Sequence, residues 1–308
     1  MQAPVFITGT DTGVGKTVLT ALLLARWRGR GWDVRAIKPF ATGAPTDARL
    51  LAQLQAGLVP LERLCPFRFR EPLAPLVAAR RERRWVELRE AVDAIQRARP
   101  AGQSVLVEGC GGLLTPLGPG YSLRELLLAM EGRAVVVAPN RLGVLNQVQL
   151  VLEVLNTARI PTVAVVLMGA RRPPPSAPSN VRTLQELAAP VPVFELPWLG
   201  PRVDTPERIR HLADDQRARL DRLARRVLPV LPKRARIRQF QQSEGRVASL
   251  SWRRGGVRAH LLPAPRGLAV TPVRPGAWRR GPRQRAPTVV CEHRLLCLRH
   301  CFILGPWP

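Results

Sequence analysis

A glycine-rich segment near the start of the chain limits the possible folds more than any other feature. From residue 5 to residue 17 it runs VFITGTDTGVGKT, and a leucine-rich stretch follows. This order indicates a strand, a tight loop and a helix. Glycines let the backbone turn so that its N–H groups surround phosphate oxygens, and the helix start adds unpaired N–H groups and a positive dipole end. Lys16 adds charge for the outer phosphates, and the Thr17 hydroxyl can bind Mg²⁺.

The loop has one residue more than the common phosphate loop. The usual spacing is a glycine, four residues and then Gly-Lys-Thr, but Thr10 stands at that first position and the glycine is Gly9. A glycine-rich turn without a ligand is the alternative, and the complete order of strand, loop, lysine and helix disfavours it. The residues expected around the phosphates are Gly13, Val14, Gly15, Lys16, Thr17 and Val18.

Lysine is rare in this chain, which gives each lysine added weight. Only Lys16, Lys38 and Lys233 occur among 48 basic residues. Arginine is a wide, permanently charged fork, whereas the compact lysine amine can approach a phosphate end-on and move with it. Lys38 follows the apolar run 34–37, so a second parallel strand would deliver it beside the phosphate loop. We predict a functional role for Lys38, with an ordinary strand-end charge as the alternative.

The rest of the chain up to about residue 226 alternates apolar strands with amphipathic helices. Continuously apolar strands are typical of a parallel sheet that is buried on both faces. We therefore predict an α/β fold of three layers, similar to P-loop NTPases, with a mostly parallel sheet and helices on both faces. Strands are expected from residue 5 and over 34–37, 104–107, 134–138, 162–167 and 193–196. Helices are expected over 17–30, 46–58, 85–99, 123–130, 145–158, 181–187 and 206–226, with one more ending near 81.

Two carboxylates are candidates for a metal site at the edge of this sheet. Glu108 follows an apolar strand and precedes glycines that let a ligand approach the backbone, so it can complete a Mg²⁺ shell with Thr17. Ligands bind at the carboxyl ends of parallel strands, where Lys16, Lys38 and Glu108 would meet. Asp47 could supply another oxygen or could only cap its helix, and the sequence leaves both open.

The formal charge of +26 would suggest a nucleic-acid or membrane-surface partner. Its distribution argues against one, because residues 233–308 hold sixteen Lys/Arg against two acids and arginine dominates throughout. We therefore expect no nucleic-acid partner. No leader segment and no run of eighteen apolar residues is apparent, so neither secretion nor a membrane span is expected.

Cysteine usage indicates a reducing compartment. The five cysteines are too few and too scattered for a disulfide framework, which favours the cytoplasm. Three of them form a loose group with two histidines, but the group lacks a Cys-x-x-Cys pair, so no zinc site is expected there. Its members are Cys291, His293, Cys297, His300 and Cys301.

Several short motifs follow the phosphate loop in a fixed order within residues 3–215. They are Lys38-Pro39 with Thr42-Gly43, Asp47-Ala48, Glu71-Pro72 with Ala74-Pro75, the run VEGCGG at 107–112 with Thr115-Pro116, Leu142-Gly143 with Asn146, and Pro197-Trp198-Leu199. Together with the extended phosphate loop, they resemble dethiobiotin synthetase. The combination is far more specific than the loop alone.

The resemblance implies an ATP-dependent carboxylase and cyclo-ligase of biotin synthesis, acting as a homodimer. In that family 7,8-diaminononanoate takes up CO₂ as a carbamate, and ATP phosphorylates the carbamate. The second amine then closes the ureido ring and releases phosphate. A carbamate is a poor electrophile until phosphorylation makes its oxygen a leaving group, and phosphoryl transfer needs mainly positioning and charge neutralisation.

Residue roles follow from the same resemblance. Lys16 and Lys38 would stabilise the phosphates and the charge developing on the carbamate. Mg²⁺ would be held by Thr17, Asp47 and Glu108. The other implied residues are Thr12 and Thr42 at the diamine or its carbamate, Leu142, Gly143, Val144, Leu145 and Asn146 at the carboxylate of the partner chain's substrate, Gly109, Cys110 and Gly111 at the nucleotide, and Pro197, Trp198 and Leu199 at its base.

The chain departs from the family in two places. After the strand 162–167 the family often has an asparagine, which can recognise adenine through paired hydrogen bonds, but this chain has Met168-Gly169. We therefore predict relaxed nucleotide selectivity. From about residue 232 the periodic patterns end, so we assign the P-loop domain to residues 1–230 and a basic tail to 231–308. The tail is expected to be disordered and dispensable, either as a basic arm or as an extension with no selected fold.

Two other classes remain open. A partitioning or positioning ATPase of the same broad fold would use the nucleotide as a switch, but such proteins usually carry a second lysine early in the loop, where this chain has Thr10-Asp11-Thr12. A non-catalytic scaffold is the second alternative. Intact Lys16 and Lys38 argue against it.

Overall fold

The computed structural model describes residues 3–99 and 104–228 in full, and the backbone of residues 246–253 and 256–263. The chain divides into two units, Met1–Ile237 and Arg238–Pro308.

A six-stranded parallel sheet forms the centre of the first unit. Its strand order is β10-β9-β8-β1-β5-β2, and every neighbouring pair is parallel. All six strands therefore end at the same edge, which contains the candidate site. The strands of this unit are β1 Val5–Gly9, β2 Val34–Ile37, β3 Phe40–Thr42, β4 Phe67–Phe69, β5 Ser104–Glu108, β6 Pro116–Gly118, β7 Tyr121–Ser122, β8 Arg133–Pro139, β9 Thr162–Met168 and β10 Val193–Leu196.

Helices cover both faces of this sheet. Successive residues of β1 show the arrangement, because Val5 and Ile7 pack into one core cluster with Trp27, whereas Phe6 packs into the other. Such burial on both faces explains why the strands are continuously apolar. The helices are α1 Lys16–Gly29, α2 Thr46–Leu54, α3 Leu61–Leu64, α4 Pro75–Arg81, α5 Leu88–Ala98, α6 Leu123–Ala129, α7 Val144–Thr157, α8 Ala177–Leu187, α9 Pro206–Asp215 and α10 Arg217–Val227. The predicted three-layer α/β fold is confirmed.

Short elements differ from the sequence prediction. The sequence predicts no strand between 34–37 and 104–107, but Phe40–Thr42 form β3, which pairs in parallel with β4. A hairpin of β6 and β7 also has no counterpart in the prediction. Strands of two or three residues are too short to show a hydrophobic period, so the sequence contains no signal for them.

Some helix boundaries in the structure differ from the predicted ones, because the hydrophobic pattern does not show where a helix begins or breaks. The last predicted helix, 206–226, is in fact two helices that meet at Gln216. The sequence predicts a single helix because the helical spacing of apolar residues continues from Leu212 to Leu220 across the break. Helix α8 begins at Ala177, four residues earlier than predicted, and α5 begins at Leu88 instead of near residue 85.

The second unit contains one described feature, an antiparallel pair of strands. They are β11 Arg246–Arg253 and β12 Gly256–Pro263, with Arg246 opposite Pro263. No periodic pattern in the sequence predicts strands there, and the expected disorder of the tail stays a prediction. The domain boundary at residue 230 stays a prediction.

Candidate active site

The phosphate loop joins β1 to α1. Its glycines Gly13 and Gly15 have φ values of 72° and 100°, in the left-handed region that side chains disfavour. Gly9 is also constrained, because a Cβ on it would lie 2.6 Å from the Val14 side chain. Lys16 begins α1 and its Nζ donates to the backbone carbonyl of Asp11 at 2.7 Å. The loop therefore offers a lysine and helix-start N–H groups at one place.

A buried cluster of charges lies beside this loop. Lys38 Nζ donates to Glu108 Oε1 at 2.5 Å and to Asp47 Oδ2 at 3.0 Å. The Thr17 hydroxyl donates to the same Glu108 oxygen at 2.6 Å. The side chains of Lys38 and Glu108 are 8% and 0% exposed. Because β2 and β5 are neighbours in the sheet, the residues that follow their last apolar positions meet in this cluster.

Burial and charge oppose each other at the two lysines. Burial alone would lower the pKa of Lys38, but the charges and hydrogen bonds of Glu108 and Asp47 outweigh it, so the pKa is raised. At Lys16 burial dominates and lowers the pKa, although the charge of Glu108 acts in the opposite direction. Lys38 is therefore firmly protonated, while Lys16 lacks an equivalent buried partner and has its charge to offer to an incoming anion.

The oxygens of this cluster fit a magnesium ion. Glu108 Oε2 is buried and accepts no hydrogen bond from the residues that the structure describes. With Asp47 and the Thr17 hydroxyl it forms a set of hard oxygen donors, the kind that Mg²⁺ prefers. Magnesium sites commonly use one or two carboxylates and complete their shell with phosphate and water oxygens. Asp47 reaches this cluster through its contact with Lys38, and it is also the acidic residue in the first turn of α2, where no side-chain cap hydrogen bond is present.

A cavity of about 340 Å³ unites these residues, and we call it the phosphate cavity. It includes Cys110, whose pKa is raised by burial. Nearly all the residues predicted at the phosphates, the metal and the diamine therefore lie in one place. Its lining residues are Thr12, Gly13, Gly15, Lys16, Thr17, Val18, Lys38, Ala41, Thr42, Ala44, Pro45, Asp47, Glu108, Gly109, Cys110 and Gly111.

A second cavity of about 380 Å³ lies at the carboxyl ends of β8, β9 and β10. It contains Pro197 and Trp198, which were predicted at the base, and the Trp198 side chain is 48% exposed. Leu199 does not line it, because its side chain is buried in the core. The residues that line the second cavity are Asn140, Gly169, Ala170, Arg171, Pro173, Ala177, Glu195, Pro197, Trp198 and Arg219.

Other predicted residues lie outside both cavities. Val14 is buried in the core, so its side chain cannot face a ligand. The segment 142–146 lines neither cavity. Within it Leu142 is 82% exposed, Gly143 precedes α7 with a φ of 88°, and the Val144 side chain is fully buried.

Four polar residues of the second cavity have no role in the sequence prediction, namely Asn140, Arg171, Glu195 and Arg219. Asn140 directly follows β8, and Glu195 lies two residues before Pro197. The rule that ligands bind at the carboxyl ends of parallel strands could have drawn attention to Asn140. Nothing in the sequence alone shows that it contacts Glu195.

Two further predictions concern a membrane span and the Cys/His group near the end of the chain. In the part of the chain that the structure describes, no helix is both long enough and apolar enough to cross a membrane. The loose Cys/His group at 291–301, where no zinc site was expected, lies outside the described residues.

A parallel sheet with a glycine-rich loop after β1 and a lysine at the start of α1 defines a P-loop nucleotide-binding protein. A family model described as an AAA domain matches residues 3–204. An ATP-dependent dethiobiotin synthetase BioD from Anaeromyxobacter sp. strain Fw109-5 is 38% identical over 227 residues, which cover 72% of this chain and 97% of the relative. Another BioD, from Bacillus velezensis, is 32% identical over 216 residues, covering 68% and 91%. The chain belongs to the dethiobiotin synthetase family.

Solved structures of lower sequence identity also match part of the chain. The MinD cell division protein of Aquifex aeolicus is 15% identical, with a TM-score of 0.46 over 74% of this chain and 98% of that one. Similarity at this level has no bearing on function.

Proposed function

We propose that this protein synthesises dethiobiotin from 7,8-diaminononanoate, CO₂ and ATP. One amine adds to CO₂ as a carbamate, and the γ-phosphoryl group of ATP moves to a carbamate oxygen as ADP leaves. The second amine then attacks the carbonyl carbon, the phosphate leaves, and the ureido ring closes. The observation that supports this best is the cluster formed by the buried Lys38 and Glu108 with the half-exposed Asp47, beside the phosphate loop in one cavity.

The two lysines have complementary roles in this proposal. Lys16 leads α1 and would contact the phosphates of ATP. Lys38 remains protonated and is held by two carboxylates, so it is positioned to neutralise the negative charge that develops between carbamate and phosphoryl group. Thr12 and Thr42 line the same cavity, where their hydroxyl groups can orient the diamine or its carbamate.

Magnesium would be held by Thr17, Asp47 and Glu108. The support is the set of oxygen donors and the buried Glu108 oxygen that has no partner among the described residues. When bound, Mg²⁺ would neutralise phosphate charge during the transfer. Glu108 needs Lys38 and Thr17 to stabilise its charge while the nucleotide site is empty, because a buried carboxylate without partners is costly.

A homodimer is part of the proposal and rests on the resemblance to the family. The segment 142–146 lies outside both cavities of its own chain, which supports its assignment to the substrate of a neighbouring chain. Its Leu142 and the nearby Leu150 are both exposed apolar side chains. Sedimentation analysis of the purified protein would test this, and a monomer at working concentration would contradict it.

Phosphate release tests the proposed reaction. The purified protein is supplied with Mg-ATP and bicarbonate, with and without 7,8-diaminononanoate. We expect release that depends on the diamine and falls by about a hundredfold to a thousandfold in Lys38→Ala, because a preorganised charge at the reacting group is lost. Arg49→Ala is the matched control, since Arg49 is an exposed cation on the same helix as Asp47.

Two results would count against the proposal. Release that ignores the diamine would favour a nucleotide switch, with DNA as the next ligand to try. Diamine-dependent release that survives in Lys38→Ala would remove Lys38 from the proposed role while leaving the reaction in place.

A further inference from the structure

We propose that Glu195 selects the nucleotide base, and that it favours bases with an exocyclic amino group over uracil. Glu195 lies in the wall of the second cavity with Trp198. The inference rests on the proposed function in one respect, that a nucleoside triphosphate occupies the phosphate cavity.

The second cavity is placed to receive a base. Met168 is the last residue of β9, and its side chain packs on the phosphate loop, where a Cβ on Gly15 would lie 3.0 Å from Met168 Cγ. The next residue, Gly169, lines the second cavity. A nucleotide with its phosphates on the loop can therefore extend across Met168 towards Trp198, whose half-exposed ring offers a stacking surface.

Position 169 cannot supply a side chain that recognises a base. A Cβ on Gly169 would lie 2.8 Å from the backbone nitrogen of Trp198 and 3.0 Å from the carbonyl oxygen of Leu196. Real Cβ atoms do not approach backbone this closely, and Gly169 N–H already donates to Leu196 at 2.8 Å. Recognition of the base must come from another group in the cavity.

A buried asparagine fixes the Glu195 carboxylate. Asn140 is 2% exposed, and its Nδ2 donates to Glu195 Oε1 and to the carbonyl oxygen of Ala177, both at 3.1 Å. Its Oδ1 accepts from Asn180 Nδ2 at 2.9 Å. Every hydrogen-bonding group of the Asn140 amide is thus used within the protein, so Asn140 is a positioning residue. Glu195 makes no other hydrogen bond within the described residues, and its remaining capacity is available to a ligand.

A carboxylate in this position discriminates between bases by charge. It can accept hydrogen bonds from the exocyclic amino groups of adenine, cytosine and guanine. Uracil presents two carbonyl oxygens and a single N–H, so most of its edge repels a carboxylate. Bonds to a charged acceptor are about twice as strong as neutral ones. The inference agrees with the predicted relaxed selectivity among ATP, CTP and GTP, and adds that UTP is disfavoured.

Calorimetric binding of ADP, CDP, GDP and UDP to the full chain tests the inference. In Glu195→Gln we expect the Kd of the three amino-bearing diphosphates to rise roughly tenfold, and the Kd of UDP to change by less than about twofold. Asn140→Ser should also raise the Kd of ADP, CDP and GDP, but by a smaller factor. This variant keeps the Glu195 carboxylate but no longer holds it in place. Glu186→Gln is the control, since Glu186 is an exposed carboxylate on α8 that lines neither cavity.

The outcomes separate this inference from the proposed function. Equal weakening of all four diphosphates in Glu195→Gln, or no change in any, would overturn the role of Glu195. The expected base-dependent pattern in a protein that shows no diamine-dependent phosphate release would support Glu195 and contradict the proposed reaction. Melting curves of both variants check that the fold is intact, and a base-dependent shift in Kd cannot come from a general loss of structure.

Discussion

The two cavities lie on one edge of the same sheet but are built differently. In the phosphate cavity the charged groups Lys38 and Glu108 are buried and bonded to each other. In the second cavity Trp198 and Glu195 are exposed, and the buried polar group behind them is the neutral amide of Asn140. One cavity is therefore organised by a buried ion pair, and the other by a fixed amide behind exposed side chains.

This difference reflects what each ligand group demands. A triphosphate presents the same concentrated charge whatever its base, so its partners are a narrow set of lysines, hydroxyls, carboxylates and backbone N–H groups. A base presents a flat face and a few weak polar atoms, which many combinations of side chains can satisfy. We expect substitutions in the phosphate cavity to cost the most in stability and turnover, and substitutions in the second cavity to act mainly on selectivity.

The largest predicted effect on stability is at the buried ion pair. Glu108→Gln leaves the buried Lys38 with only the half-exposed Asp47 as a charged partner. We therefore expect the free energy of unfolding to fall by about 3 kcal/mol, measured by urea denaturation. The double variant Lys38→Met/Glu108→Gln should recover part of this loss, with a coupling of about 2 kcal/mol. Glu207→Gln, which breaks an exposed pair with Arg210, should cost less than about 0.5 kcal/mol. If the stability losses of Lys38→Met and Glu108→Gln simply add in the double variant, Lys38 and Glu108 are not energetically coupled.

A second prediction concerns the close packing that shapes the second cavity. Gly169→Asn forces a Cβ against the backbone of Trp198, and we expect it to cost about 2 kcal/mol of unfolding free energy. Gly29→Ala is the matched control. Gly29 ends α1 with no atom near its missing Cβ, so the change should be neutral or stabilise by up to about 1 kcal/mol. A Gly169→Asn variant as stable as the wild type would show that the second cavity can adapt, and it would remove the argument that assigns base recognition to Glu195.

The same contrast explains how much could be predicted from sequence. Lys16, Lys38 and Glu108 each follow or adjoin an apolar strand, and parallel strands end at one edge, so their convergence follows from the topology. The partnership of Asn140 with Glu195 could not be predicted, because it joins the ends of β8 and β10 and depends on side-chain packing. The strand pair β3 and β4 was missed for another reason, since three residues show no period.

A third prediction concerns the helix that supports the phosphate cavity. Ser122 and Glu125 form a capping box at the start of α6, and the Leu123 side chain packs closely on Gly109 of the cavity. Burial alone would raise the pKa of Glu125, but hydrogen bonds from Ser122 and Arg124 lower it to about 2 from its usual 4.5. Because the folded state lowers this pKa, the stabilisation is complete above about pH 4.5 and is lost as the pH falls towards 2.

The measurement is unfolding free energy against pH for the wild type and Glu125→Ala. We expect the variant to be about 1 kcal/mol less stable at pH 7, and the difference to shrink between pH 4.5 and pH 3. Glu186→Ala should show no such convergence, since Glu186 is an exposed carboxylate outside any cap. A difference between wild type and Glu125→Ala that stays constant down to pH 3 would contradict the assigned cause.

The smallest predicted effect is removal of the tail. Both cavities are lined by residues that precede position 220, and α10 ends at Val227, whose carbonyl accepts from Arg133 at 3.0 Å. A chain that stops after residue 230 should therefore keep its diamine-dependent phosphate release within about twofold of the full chain, as expected when no described group of either cavity changes. A chain that stops after residue 204 is the contrasting variant. It loses α9 and α10, whose buried Ile209 and Leu220 pack in the core, and should not fold. Lost turnover in the chain that stops after residue 230 would show that the tail contributes to one of the cavities.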